Sequence, residues 1–208
     1  MGEVTGPEGA EPPVRGRKRD ANLDRRVLEA AQSLVAEHGV RGSSVSAIAQ
    51  RAAVGKPSVY LRWPNHTSIL VAAIADAGVA VEPPATSSTV EALTHALDDD
   101  HEALLRGRHS AFLRSVLFES AFSPELSDAL WESVLDPRRD RLTSILRADP
   151  AIGASRRRDA LVRIADLLHA PLLEALARRG DHPGRHEIAT RVATVIEGVG
   201  VRSQPAGA

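Results

Sequence analysis

From Leu23 to Val199 apolar residues return at intervals of three and four, and no stretch alternates apolar with polar residues as a half-buried strand would. The pattern predicts an all-α chain. A first helix is expected from Leu23 to about His38, with Leu23, Val27, Ala31, Leu34 and Val35 facing inward, Asn22 as cap and Gly39 as stop. A second, shorter one follows Ser44, a good N-cap, and places Val45, Ile48, Ala49 and Ala52 on one face. Ala53, Val54 and Gly55 then break the period. Gly55 is expected to supply the freedom of a tight turn, and Val54 to plug the angle between two helices. Pro57 suits the first turn of a helix from Lys56 to Trp63, Pro64 ends it, and Asn65 caps a helix reaching about Val81.

Beyond a loop over Glu82–Ser87 the chain stays helical. Ser88 and Glu91 make a capping box for a helix to about Arg106, and another spans His109 to Phe122. Ser123-Pro124 and Asp136-Pro137 each read as a cap followed by proline, although the second pair is equally compatible with a kink in one helix. Ser155 to Arg179 is long and contains Pro171, so it either bends near His169 or is two helices; a last helix covers about Arg185 to Gly198. This divides the chain into a flexible basic arm (1–21), a three-helix DNA-binding domain (22–66), a helical sensor and dimerisation domain (67–201) and a disordered tail (202–208).

Two short helices and a tight turn within about twenty residues are the grammar of a DNA-reading helix-turn-helix. The second helix offers Lys56, Ser58, Tyr60 and Arg62, with no acid among them. Lys56, Pro57 and Ser58 are the candidates for base edges: a lysine can donate to guanine, and a proline ring can pack on a thymine methyl. Ser44, Tyr60, Arg62 and His66 are the candidates for phosphates, which fix register without reading sequence. Arg17 and Lys18, in the cluster Arg15, Arg17, Lys18 and Arg19, are expected to reach backbone or minor groove from the arm.

The segment from Asn22 to Ala75 resembles the DNA-binding domain of the tetracycline-repressor (TetR) family of bacterial regulators. The resemblance rests on Gly39, Ser44, Ile48, Ala49, Arg51, Ala52, Val54, Gly55, Lys56, Pro57, Ser58, Tyr60, Arg62, Trp63, Pro64 and Asn65. Two positions depart from it. The family usually has glycine where Ala53 stands, so an alanine there would be strained at positive φ, and lysine where His66 stands. A histidine at that position is expected to make DNA affinity rise at mildly acidic pH.

The resemblance implies a homodimer that places two recognition helices on a palindromic double-stranded operator, and a repressor released by a small-molecule effector. The stripe Leu168, Leu172 and Leu176 with Ile188, Val192, Val195, Ile196 and Val199 could pack within one subunit or between two; the family's pairing of its last two helices favours the second. The effector is expected to be apolar or amphiphilic, held near Phe112, Arg114, Phe118, Glu119, Phe122, Trp131 and His169, although aromatics at helical spacing also make ordinary cores. The alternative is a DNA-binding module without a ligand, controlled by a protein partner or by its expression level.

Charge sharpens the division. The 208 residues carry a net −1, but residues 15–70 hold ten Lys and Arg against four Asp and Glu, while the flanks are acidic. A basic domain beside an acidic one suits steering to DNA. No run approaches the roughly 20 apolar residues of a membrane span and no secretory signal is evident, so a cytoplasmic protein is expected. There is no cysteine, which removes thiolate catalysis and Cys-ligated zinc. His182 and His186 lack a third metal ligand, and Asp98, Asp99 and Asp100 with His101 and Glu102 read as a solvated face. No nucleophile elbow, phosphate loop or nucleotide fingerprint is present. An enzyme, a metal site and a cofactor are therefore not expected.

Overall fold

A computed structural model describes residues 21–78, 88–154, 156–178 and 182–199, among which helices joined by turns and short loops are found and no strand. The helices are α1 (Ala21–Gly42), α2 (Val45–Arg51), α3 (Lys56–Tyr60), α4 (His66–Ala77), α5 (Thr89–His101), α6 (Ser110–Ser120), α7 (Pro124–Leu130), α8 (Asp136–Ala148), α9 (Pro150–Gly153), α10 (Arg158–Arg178) and α11 (Arg185–Gly198). The basic arm with Arg17 and Lys18, the loop expected over Glu82–Ser87 and the tail over 202–208 lie outside the described residues.

Several boundaries differ from the sequence reading for identifiable reasons. Asn22 stands inside α1, where its side chain accepts a bond from Arg25 at 3.1 Å, so it does not cap the helix. Gly39, at φ 73°, does break α1, and a short turn follows it. Helix α3 ends at Tyr60 rather than Trp63, because Leu61 closes its last turn onto Pro57 and Val59. Helix α4 ends at Ala77, where Gly78 turns to extended backbone. The pair Asp136-Pro137 opens no new helix: α7 and α8 are joined by a π-helical segment, Trp131–Leu135. Pro137 has no N–H to return to the Ser133 carbonyl, and the turn widens there. Gly78 comes so close to that carbonyl that a Cβ would lie 2.4 Å from its oxygen. A side chain on residue 78 would hold α4 off the α7–α8 rod. Helix α10 runs unbroken through Pro171.

The buried apolar residues form two cores. The first joins Val27, Leu34, Ile48, Val59, Ile69 and Ile74 of α1 to α4 with Phe112, Leu113 and Val116 of α6 and with Leu126, Leu130 and Val134 beyond it. It thus crosses the division expected between 66 and 67. Gln32, itself buried, stitches α1 to α4 by donating to the Ala73 carbonyl at 3.0 Å and the Asp76 carboxylate at 2.9 Å. The second core gathers Leu93, Leu97, Leu142, Leu161, Ile188 and Val192 from α5, α8, α10 and α11.

The stripe expected at a subunit interface belongs mostly to these cores. Leu168, Leu172, Leu176, Ile188, Val192 and Ile196 are all buried inside the single chain, and Val195 and Val199 pack against the second core. Periodicity identified an apolar face correctly, but that face points at its own subunit. The acidic run also differs from a solvated face. Asp100 and His101 are 1% and 2% exposed, because α8 brings Arg138 and Arg141 against Asp100 at 3.2 and 2.9 Å.

Candidate nucleic-acid interface

The helix-turn-helix is built by caps at both ends. Ser44 Oγ accepts the Ala47 N–H at 3.2 Å at the start of α2. Asn65 and Ser68 form a reciprocal capping box at the start of α4. Between α2 and α3 the strained residue is Ala53, at φ 51°, while Gly55 sits at φ −70° in ordinary extended backbone. The turn's conformational demand therefore falls two residues earlier than the glycine suggests. Ala53→Gly is expected to stabilise the fold by about 1 kcal/mol, since the penalty for a Cβ in the left-handed region disappears. Thermal unfolding of the two proteins checks this.

What holds the strained turn is Arg26 of α1. Its guanidinium donates from Nε to the Ala52 carbonyl at 2.9 Å and from Nη2 to the Ala53 carbonyl at 2.7 Å. A planar fork matched to two carbonyls is a task that lysine cannot reproduce. A second clamp joins Arg51 of α2 to Glu37 of α1 at 2.6 Å, and hydrogen bonds from Arg51 and Ser33 hold the Glu37 carboxyl down to about 2.

Recognition helix α3 packs inward through Val59, fully buried, and through Trp63 one turn later. The opposite side faces out. Lys56 and Tyr60 stand one turn apart there, as do Pro57 and Leu61, and Ser58 is half-buried beside them. Neither Lys56 nor Tyr60 spends a polar group on a hydrogen bond or ion pair among the described residues. No Asp or Glu occurs from residue 38 to 75 to oppose a polyanion.

Two expected phosphate contacts stand differently. Arg62 is turned inward: its Nε lies 2.5 Å from Asp24 Oδ1 on α1, and its Nη1 donates to the Ser58 carbonyl at 3.2 Å. It braces the end of α3 against α1. His66 is half-buried, and its Nε2 lies 3.0 Å from Ser43 Oγ. The Ser43 hydroxyl already donates to the Val40 carbonyl at 2.9 Å, so the histidine must donate from Nε2. Burial lowers its pKa below the ordinary imidazole value. A rise in DNA affinity at mildly acidic pH is thus not expected from His66.

The sign of the folding effect follows. The unfolded chain takes up this proton before the folded one does, so stability falls as pH drops below about 6.5. His101 and His109, lowered chiefly by burial as well, act in the same direction. Thermal unfolding midpoints should decline from about pH 7.5 to 5.5, and less steeply in His66→Gln.

Sequence reasoning missed Arg26, whose partners lie 26 and 27 positions away with no local signal. It also missed Leu61, which at 84% exposure is an apolar side chain on a polar ridge. That one was findable, because residue 61 falls opposite the inward pair Val59 and Trp63.

With this geometry in view, residues 27–73 match the family model described as bacterial regulatory proteins, tetR family. Residues 27–73 thus form a DNA-binding domain of the TetR type. Relatives of the chain include an uncharacterised HTH-type transcriptional regulator of Bacillus subtilis, YdeS, 25% identical over 89% of this chain and 93% of that protein. Another, from Mycobacterium tuberculosis, is 32% identical over 58% of this chain and 59% of that protein. Among solved structures, the flavonoid-responsive regulator FrrA superposes with a TM-score of 0.66 at 22% identity, covering 86% of this chain and 95% of FrrA. The fatty acid degradation regulator FadR from Bacillus halodurans gives 0.65 at 17% identity, covering 89% and 100%. At such identities these structures speak to the fold. The chain is accordingly a DNA-binding transcriptional regulator, a class without catalytic chemistry of its own, and no helix among its described residues is long and apolar enough to cross a membrane.

The residues expected around a TetR-family effector do not gather at one cavity. Phe112 is in the first core; Phe118, Phe122 and Trp131 are 57%, 76% and 42% exposed. Glu119 instead pairs with Arg41 at 3.3 Å, and the Arg41 guanidinium sits 6.0 Å above the Phe122 ring. Arg114 donates to the Leu176 carbonyl at 3.1 Å. His169 is buried with its Nε2 3.5 Å from Asp100. These side chains join the DNA-binding half to α6 and tie α10 to its neighbours; they do not build a pocket.

Proposed function

We propose that two copies of this regulator bind a two-fold symmetric operator as a repressor, and that a small apolar molecule releases them. The reading rests on the ridge of Lys56, Pro57, Ser58, Tyr60 and Leu61, an acid-free surface on which the Lys56 ammonium and the Tyr60 hydroxyl have no partner among the described residues. Lys56, Pro57 and Leu61 would meet base edges and thymine methyls, while Ser44 and Tyr60 would meet phosphates. Ser44 keeps a hydroxyl proton for this after its oxygen has capped α2.

Pairing is supported by the outward side of the last two long helices. Leu167 is 62% exposed on α10, and Thr190, Thr194 and partly buried Val195 lie on α11 across from it. A large apolar side chain left in water on an otherwise packed helix pair suits a self-complementary contact. Apart from Val195, which belongs to both sets, these residues replace the buried stripe as the interface. A dimer seated on promoter DNA excludes polymerase without further contacts, which favours repression.

The test is anisotropy of a labelled operator duplex across a salt series. Affinity should fall log-linearly with salt at a slope of about −0.9 per neutralised phosphate. Tyr60→Ala should weaken every sequence alike, and Lys56→Ala should change which sequence binds best. A flat salt response, or equal losses on all sequences for both variants, contradicts the assignment.

A further inference from the structure

Between α10 and α11, with α5 as its floor, runs a trough. Its apolar end has a volume of about 270 Å³ and is walled by Leu97, Leu168, Ile188 and Val195. A more polar hollow of about 320 Å³ continues it past Glu174, His182 and Arg191. His101 borders both parts.

The chemistry of that histidine is set by its partners. Nδ1 lies 2.6 Å from the Leu97 carbonyl oxygen, which can only accept, so Nδ1 carries the proton. Burial holds the imidazole below its ordinary range, and His182 and His169 add to this against the opposing pull of the Leu97 carbonyl and Asp100. The ring is therefore neutral at pH 7, and Nε2 is a bare acceptor on the edge turned away from the helix backbone. No donor among the described residues reaches it. The His182 ring stands against it edge-on, centroids 5.7 Å apart, without bonding it. A buried acceptor left unmet is unfavourable, and a donor that entered the trough would satisfy it.

We propose that this trough binds a small uncharged molecule with an apolar body and one hydroxyl donor, of the phenol class. The body would lie among Leu97, Leu168, Ile188 and Val195, and the hydroxyl would donate to His101 Nε2. The apolar walls and the neutral imidazole favour an uncharged molecule, since Arg191 at the rim already pairs with Glu187. A volume near the lower bound of about 300 Å³ for ligand pockets limits the body to a single ring with a short substituent. The assignment rests on the reading that this regulator takes a small-molecule effector, and gives that effector a site and a class. The trough opens on the face proposed for pairing, so an occupant would alter how α10 and α11 meet a second copy, and through it the spread of the recognition helices.

Calorimetry on the full-length protein with para-propylphenol and its methyl ether tests the proposal. The phenol is expected to bind at least about tenfold tighter than the ether, the worth of one good hydrogen bond, and His101→Phe should abolish that preference. Should His101→Phe fail to fold, Val195→Trp on the rim should fill the apolar end and block the phenol. Equal binding of the two probes, no binding of either, or phenol binding that survives Val195→Trp overturns the site. Operator affinity measured with the phenol present separates the two readings. Phenol binding that leaves the operator complex intact keeps the site and defeats release by an effector.

Discussion

Asp100→Ala is expected to destabilise the protein by about 3–5 kcal/mol, enough to unfold much of it near physiological temperature. Asp100 is 1% exposed and sits between two guanidiniums, with Arg138 Nε at 3.2 Å and Arg141 Nη2 at 2.9 Å. Arg138 is as deeply buried, and its Nη1 donates to the Val134 carbonyl at 2.5 Å. Burial pulls its pKa down from the usual guanidinium value and Asp100 pushes it back up. Without the carboxylate, two cations would face each other in an apolar interior. Asp99 approaches only Arg141, at 3.6 Å, and is half exposed, so it cannot take over.

The ion cluster is not thereby a large net source of stability. Taking its charges out of water offsets most of their attraction, so replacing Asp100 and Arg138 together by leucine and methionine should recover most of the loss. Denaturant unfolding of the single and double variants separates the two effects. A single variant as stable as the parent would show that the cluster is not closed in the folded protein.

Leu167→Arg is expected to leave the fold intact and to abolish pairing. The residue is 62% exposed in the single chain, so the arginine meets water there at little cost; across a two-fold contact it would meet its own copy. Losing the second half-site removes the avidity of two linked contacts, about 100-fold or more in operator affinity. Leu168→Arg is the control with the opposite outcome. Leu168 is 5% exposed in the second core, and a charge there should unfold the protein. Sedimentation distinguishes them: a folded monomer for the first, an unfolded or aggregated chain for the second. A folded dimer of Leu167→Arg would remove this face from the interface.

How far the sequence could be read varies with the range of the interaction. Ser44, Asn65, Ser88 and Ser123 were readable as caps because a cap is a contact within three residues, and all four make it. The outward face of α3 was readable for the same reason, since helical period alone sets Lys56 and Tyr60 opposite Val59 and Trp63. The turn was half readable: a break over residues 53–55 was evident, but positive φ falls on Ala53, where clamping by Arg26 outweighs the preference of glycine. Asp100 was not readable, because its partner Arg141 arrives 41 positions later and turns an acidic surface run into a buried charge. The apolar stripes of α10 and α11 fail differently. Periodicity says that a face is covered without saying by which copy of the chain.

The ridge on α3 is proposed to read DNA sequence. Selection of bound sites from a random duplex library, with the parent and with Lys56→Ala in parallel, tests it most directly. The parent should enrich a site of two inverted halves about one helical turn apart, and Lys56→Ala should change the preferred base at one position in each half. No enriched sequence from the parent, or the same base preferences from both proteins, would contradict it.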